Sequence, residues 1–323
     1  MITAKHLTKS YGNFKAVDDL SFSIEEGHIY GFLGPNGAGK STTLNIITGC
    51  LAPSSGEVMV DDYDIYESSK EAKKLIGYLP EIPPLYFDQT PREYLSFVVD
   101  AKKIPHSGRK DEIERVAKET NIENVLDKPI KYLSKGYKQR VGISQALVGD
   151  PKIVILDEPT VGLDPMQILE IRELILELGK KHTVILSSHI LSEVQTLCDK
   201  VLIIYKGKMV AFDAPENLEK SVSSEGIIDV MPDCSSDKAL EVLNEVGSVS
   251  YTEVVKETDS GCSLKLHVKG DDALSICKEV FKIFVDNDIA LFQLNLEKTT
   301  LEDIFLELTK NEEDLKNDSG IKA

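Results

Sequence analysis

Hydrophobic positions along this 323-residue chain fall into two regimes. Through the first two-thirds, short unbroken apolar runs recur: His28 to Leu33, Ile76-Gly77-Tyr78-Leu79, Ile153-Val154-Ile155-Leu156, Val184-Ile185-Leu186 and Val201-Leu202-Ile203-Ile204. Runs of this length without polar alternation predict strands of a sheet covered on both faces. Helical spacing separates them, as in Ile168, Leu169, Ile171, Leu174 and Ile175. From about Thr90 to Lys128 no strand run is found. Pro91-Arg92-Glu93 opens one helix there and Asp111-Glu112-Ile113 another, which reads as a helical insertion.

The remainder has a different rhythm. A polar stretch from Glu219 to Gly226 reads as a linker. A short strand follows at Ile227 to Val230, then Ala239, Val242, Leu243 and Val246 at helical spacing. A strand near Val249 to Val255 and the alternation of Leu264, Leu266 and Val268 come next. Leu274, Cys277, Phe281 and Phe284 give a second helical face, and Phe292, Leu294 and Leu296 alternate again. The order β-α-β-β-α-β predicts a ferredoxin-like arrangement over residues 226–310. A last helix is expected with Leu301, Ile304, Phe305 and Leu308 on one stripe. Residues 311–323 read as a disordered tail.

Composition narrows the class. Hydrophobic residues make up 41% and charged residues 28%, the ordinary balance of a globular protein, and the length calls for two folding units. No apolar run approaches the ~18 residues of a membrane span. The first residues carry no signal-like apolar segment, so a place at a membrane would depend on a partner. A net charge of −17 argues against nucleic acid as a partner. Five scattered cysteines without a C-x-x-C pair suit a reducing compartment and define no metal site.

One stretch carries chemistry of its own. Gly34-Pro35-Asn36-Gly37-Ala38-Gly39-Lys40-Ser41-Thr42 fits G-x-x-x-x-G-K-[ST]. It lies between the 28–33 strand and a segment, Thr43 to Thr48, able to open a helix. That context separates a phosphate loop from a solvated glycine turn. Backbone N–H groups and the helix start would face a polyphosphate, Lys40 its β/γ-phosphates, and Ser41 a Mg²⁺ ion. A second strand, Ile153 to Leu156, ends in Asp157 and Glu158. Adjacent charges are at home only at the exposed C-terminal end of such a strand, where open α/β sheets bind ligands. Asp157 is expected to hold Mg²⁺ and Glu158 to activate the attacking water.

A third element is less specific. Ser134 and Gly136 lie at the start of a helix running through Leu147. Alone they describe a capped helix. Beside a phosphate loop, they also fit a second phosphate-facing surface, directed at ATP held by another copy in a two-fold dimer.

With these residues in order, the chain resembles the ATP-binding subunits of ABC transporters. The resemblance covers about residues 1–215 and rests on Gly34 to Thr42, Leu133-Ser134-x-Gly136, Ile153 to Glu158, Gly162-Leu163-Asp164-Pro165 and Ser187-Ser188-His189. It is closest to exporter-type subunits with an added C-terminal domain, whose closing helix Leu301-Glu302-Asp303-Ile304-Phe305 resembles. An α/β P-loop ATPase domain over 1–218 is therefore expected, with a helical subdomain at about 85–148. The resemblance also implies roles. Tyr11 would stack on adenine, and Asn36, Gly37, Ala38, Gly39, Lys40, Ser41 and Thr42 would wrap the phosphates. His189 would contact the γ-phosphate, and Asp164 would cross the dimer interface. ATP and Mg²⁺ are the implied ligands, a transmembrane permease and a second, head-to-tail copy the implied partners. The implied location is cytoplasmic, peripheral on the inner face of the membrane.

Two departures stand out. Glu81 occupies a position where the family usually has glutamine; its oxygen can still reach Mg²⁺ or the lytic water, but the amide donor is lost. Lys135 and Tyr137 replace the family's common glycine and glutamine, while Ser134 and Gly136 are kept. Beside Glu81, Ile82-Pro83-Pro84-Leu85-Tyr86-Phe87 fits either packing of the insertion or a groove for a short helix of a membrane subunit. A soluble ABC ATPase outside transport is the alternative function, and a nucleotide-gated module without hydrolysis a third. The first lacks its usual second cassette, coiled coil or zinc finger, and Glu158 with His189 argues against the other.

Overall fold

A computed structural model of the chain describes residues 1–222, 225–258, 261–269 and 273–297. Two compact units divide it, Met1–Pro215 and Glu216–Ala323. In the first, β1 (Ile2–Tyr11) and β2 (Phe14–Ile24) form an antiparallel hairpin, and β3 (Ile29–Leu33) runs through the glycine loop into α1 (Lys40–Ile47). β4 (Ser55–Val60), β5 (Tyr63–Asp64), α2 (Ser69–Lys74) and β6 (Ile76–Leu79) follow. The insertion holds α3 (Pro91–Ala101), α4 (Arg109–Glu119) and α5 (Lys135–Leu147). The unit continues with β7 (Ile153–Leu156), α6 (Pro165–Gly179), β8 (Thr183–Ser188), α7 (Leu191–Leu197), β9 (Lys200–Tyr205) and β10 (Lys208–Asp213).

The aliphatic runs build one six-stranded sheet in the order β10-β9-β3-β8-β7-β6. β9, β3, β8, β7 and β6 are parallel, and β10 is an antiparallel edge. Every residue of β3, β7 and β8 is buried, as expected for strands covered on both faces. A second sheet, β2-β1-β4-β5, is antiparallel and was not foreseen. α1 lies between the two, and Leu44, Ile46 and Ile47 join Tyr30, Phe32 and Ile155 in one core cluster. Local signals set the helix starts. Thr90 and Glu93 close a capping box around Pro91 at the head of α3, and the Ser134 and Asp164 side chains accept from the backbones of α5 and α6.

The second unit begins with α8 (Pro215–Val222) and continues as β11 (Glu225–Pro232), α9 (Ser236–Leu243), β12 (Val249–Thr258), β13 (Gly261–Lys269), α10 (Ala273–Asp286) and β14 (Leu291–Glu297). Its sheet is antiparallel in the order β12-β13-β11-β14. Alternate residues Ile228, Val230, Leu264, Leu266 and Val268 meet Ala239, Val242, Leu243, Ile276, Val280 and Phe284 of the helices in its core. The expected linker at Glu219–Gly226 is largely regular instead. α8 runs to Val222, and β11 starts at Glu225 because its pairing with β13 extends to Glu225–Lys269, beyond the apolar core. The helix expected over Leu301–Leu308 and the tail at 311–323 lie outside the described residues.

Ile155 sits fully buried in β7, whose far end carries Asp157 and Glu158. Ile155→Ala should cost about 2–5 kcal/mol in urea unfolding with an unchanged m-value; a loss under about 1 kcal/mol would contradict the packing described.

Candidate active site

The glycine loop joins the buried end of β3 to α1, and its course is fixed by contacts that leave no room for side chains. Gly39, at φ +110°, has the left-handed backbone that favours glycine, and a Cβ there would run into the Ala16 carbonyl. At Gly34 a Cβ would meet the Ile204 carbonyl of β9. The loop is further pinned where Gly207 N–H donates to the Ala38 carbonyl at 2.9 Å. Lys40 is only 5% exposed. Its ammonium donates to the Gly34 carbonyl at 2.7 Å and stands 3.4 Å from Glu158 Oε1.

β7 and β8 bring the acidic and switch residues to the same edge. Asp157 Oδ1 accepts from Ser187 Oγ at 2.6 Å and from Ser41 Oγ at 3.1 Å. Glu158 N–H donates to the same Ser187 Oγ at 2.8 Å. The Glu158 backbone has φ +48°, uncommon for a residue with a side chain. Its carboxylate is shared: Oε1 faces Lys40, and Oε2 lies 2.8 Å from His189 Nδ1. Burial pushes the Asp157 carboxyl above the usual carboxylate range; the Ser187 and Ser41 hydroxyls pull it back, and Glu158 and Glu81 push it further up.

A cleft of about 630 Å³ gathers Tyr11, Asn36, Gly37, Ala38, Gly39, Lys40, Ser41, Thr42, Glu81, Glu158 and His189. Asp157 stands behind it through its bond to Ser41. Ser134, Gly136 and Asp164 are not brought into this cleft. They meet elsewhere: Asp164 Oδ1 caps α6 by accepting from Gln167 N–H at 2.9 Å, and the Gln167 side chain packs against Gly136. The cleft also holds residues not anticipated. Phe14, opposite Tyr11 in the β1–β2 hairpin, is exposed at its mouth beside Ala16 and Val161. The aromatic pair Tyr11/Phe14 flanking the turn was the available signal. Ser187, which braces the Asp157 carboxylate and the Glu158 backbone, offered none beyond its place two residues before His189.

The donor set fits a nucleotide with a divalent ion. Asp157, Glu158 and Glu81 lie close together, with the Lys40 ammonium and the His189 ring set against the Glu158 carboxylate. Among the described residues no three His, Cys, Asp or Glu converge into a cage that could hold a metal alone. Mg²⁺ is typically bound through one or two carboxylates together with substrate phosphates. Ser41 and Asp157 are the residues that would hold it, with Glu81 at reach from the cleft wall.

A glycine loop cradled at a helix start and paired with carboxylates just past β7, the next strand but one in the sheet, defines a P-loop nucleoside triphosphatase. Residues 17–161 match the ABC transporter family. The bacitracin transport ATP-binding protein BcrA of Bacillus licheniformis is 34% identical over 313 residues, covering 95% of this chain and 97% of that protein. Among solved structures, CbiO1 of Clostridium perfringens, part of the ABC transporter complex CbiONQ, is 32% identical with TM-score 0.62, over 67% of this chain and 89% of its own. The ATP-binding cassette MJ0796, solved as a post-hydrolysis dimer with ADP and Pi, is 26% identical with TM-score 0.60, over 66% of this chain and 98% of its own. The chain belongs to the ABC transporter ATP-binding proteins: it is an ATPase subunit of the ABC ATPase fold that binds and hydrolyses ATP.

The raised Asp157 carboxyl has a stability consequence. A carboxyl whose folded pKa lies above its unfolded value costs the fold stability as rising pH ionises it. Asp157→Asn keeps an oxygen for both hydroxyls and removes the charge. Urea unfolding of the nucleotide-free protein near pH ~7 should find Asp157→Asn more stable than wild type, the gap closing as pH falls through the Asp157 titration. A variant less stable at neutral pH would refute the electrostatic account.

Proposed function

We propose that the chain energises an exporter, working on the cytoplasmic face of a membrane with a separate transmembrane permease. The constellation of Lys40, Ser41, Asp157, Glu158 and His189 at the edge of one sheet carries this reading. Likeness to a bacitracin transport ATP-binding protein along 95% of the chain, the second unit included, supports the exporter assignment. Among the described residues no helix is long and apolar enough to cross a membrane, so the transport path belongs to a partner. A net charge of −17 supports a protein partner over nucleic acid.

The residues divide the work. Tyr11 and Phe14 offer ring faces to the adenine at the mouth of the cleft. The N–H groups of Asn36 to Thr42 and the Lys40 ammonium take the phosphates. Ser41 and Asp157 would hold Mg²⁺, which when bound would supply positive charge to the β- and γ-phosphate oxygens. Glu158 takes a proton from water as that water attacks the γ-phosphorus; the bond to the β–γ bridging oxygen breaks, leaving ADP and phosphate. In the cleft Glu158 is held by Lys40 and His189, the two groups assigned to the terminal phosphate. A γ-phosphate that engages both frees the carboxylate to act as base. Glu81 orients the water or the ion from the opposite wall.

Ser134, Gly136 and Asp164 lie outside the cleft, and the reading assigns them to ATP held by a second copy in a head-to-tail sandwich. That the related cassette MJ0796 was solved as a dimer with ADP and Pi supports this. ATP then favours the closed pair over separate subunits, and closure moves the permease. The exposed group Ile82, Tyr86, Phe87 and Phe97 borders Glu81 and supports docking of a short permease helix there. We read residues 1–218 as the ATPase domain with a helical subdomain at about 85–148. Residues 226–310 read as ferredoxin-like, supported by the strand order β12-β13-β11-β14 with two helices packed against the sheet.

Glu158→Gln should bind ATP as wild type does, lose at least ~100-fold in turnover, and accumulate as an ATP-dependent dimer in light scattering. An unchanged ATPase rate in that variant removes the base. Gentle extraction of membranes should recover the chain with a multi-span protein; a chain always recovered alone would refute the transport reading.

A further inference from the structure

Three carboxylates are buried among the described residues, and the steps above use two of them, Asp157 and Glu158. The third, Glu193 in α7, is 2% exposed. Its Oε2 accepts from Thr160 Oγ1 at 2.8 Å and from Ser188 Oγ at 3.1 Å, and its Oε1 stands 3.4 Å from Arg172 Nη2 on α6. Ser188 Oγ in turn accepts from Ile190 N–H at 3.0 Å. A buried carboxylate carries a large desolvation cost, which an apolar residue of similar size would avoid. Packing α7 onto β3 and β8 therefore does not account for a charge here. What a carboxylate does, and a leucine cannot, is fix two hydroxyls from different loops with one oxygen.

Those two hydroxyls belong to the two loops that matter. Thr160 lies two residues past Glu158, whose φ of +48° persists only if the surrounding structure holds it. One anchor is the bond from Glu158 N–H to Ser187 Oγ; the Thr160–Glu193 bond is another, on the far side of the strained residue, beside the backbone bonds of Asp157 and Val161. Ser188 immediately precedes His189, whose ring meets Glu158 at 2.8 Å. Arg172 balances the charge from α6.

We propose that Glu193 is a positioning residue, its carboxylate holding the Glu158 loop and the His189 loop in register so that base and histidine address the same terminal phosphate. The inference rests on the ATP-hydrolysing reading of the cleft. It places Glu193 outside nucleotide binding, since none of its contacts is with the glycine loop.

The test uses the full chain, with ATP affinity measured at equilibrium and turnover measured separately. Glu193→Ala should lower kcat about tenfold or more while ATP Kd stays within about twofold. Thr160→Val, which removes one hydroxyl at constant shape, should lower kcat by a smaller factor. Combined with Glu193→Ala it should add no further loss, because both act through one bond. Glu193→Gln keeps an acceptor oxygen and should recover part of the rate. A kcat for Glu193→Ala within twofold of wild type overturns the proposal. So does a fall in rate matched by an equal loss of ATP affinity, or multiplicative losses in the double variant. Should Glu193→Ala not fold, Thr160→Val and Ser188→Ala decide by the same split of kcat from Kd. Failure of the underlying reading is told apart by Glu158→Gln: hydrolysis in that variant removes the base, whereas an inactive Glu158→Gln beside a fully active Glu193→Ala removes only the role of Glu193.

Discussion

Everything in the site turns on keeping two adjacent carboxylates, Asp157 and Glu158, at the end of a buried strand beside one buried lysine. Such an arrangement is unfavourable on its own, since burial penalises each charge and the two repel. The chain contains it by sharing. Lys40 faces one oxygen of Glu158, His189 the other, and Ser187 serves both residues at once, donating to Asp157 and accepting from the Glu158 backbone. A cradle of this kind has to be rigid. β7, β8 and β3 supply that rigidity because they are buried along their whole length and paired in register from Ile29–Val184 to Leu156–Leu186. The unremarkable aliphatic sheet is thus what allows an improbable charge cluster to persist.

Charge excess also explains the ligand. Without a cation, Asp157 is pushed toward protonation by its burial and by Glu158 and Glu81. On the proposed reading, a divalent ion arriving with phosphates would reverse that pressure. Nucleotide and metal would then bind to the same cluster together. Ser41 links the two halves, because it belongs to the phosphate loop and donates to Asp157.

Legibility in the sequence followed the physics of each element. Strands buried on both faces announce themselves as continuous aliphatic runs, so β3, β6, β7, β8 and β9 were readable. The antiparallel sheet was not. In β1 and β2 the alternation that marks a half-buried strand is interrupted where His6 and Asp19 take positive φ and the register shifts between Ala4 and Leu7 and again toward Lys9. The glycine loop and the Asp157–Glu158 strand end stood out because residue types recur there at fixed spacings, and His189 was reached through the family resemblance; Glu158 and His189 meet in the cleft beside the loop. Ser187 and Glu193 did not stand out, since a serine in a strand and a glutamate in a helix are commonplace until the fold buries them together with partners from other elements. The stretch at Glu219–Gly226 was read as a linker from its polarity, which does not report backbone pairing; β11 continues past the apolar core to Glu225.

A last connection concerns α6. Its first turn is tied to the tip of α5, where Gln167 packs on Gly136 and Asp164 caps the helix. One turn further along, Glu170 pairs with the buried Arg140 of α5 at 2.9 Å, and Arg140 also donates to the Thr120 carbonyl at the end of α4. The next charged position, Arg172, faces Glu193. One helix therefore touches the insertion through two contacts and the site loops through a third. The two pairs differ in burial: Glu193 would be left an uncompensated buried charge without Arg172, whereas Glu170 is exposed and loses little without Arg140. Contacts of α6 thus run from the insertion, at Gly136 and Arg140, to Glu193, and from Glu193 to Thr160 and Ser188 beside Glu158 and His189.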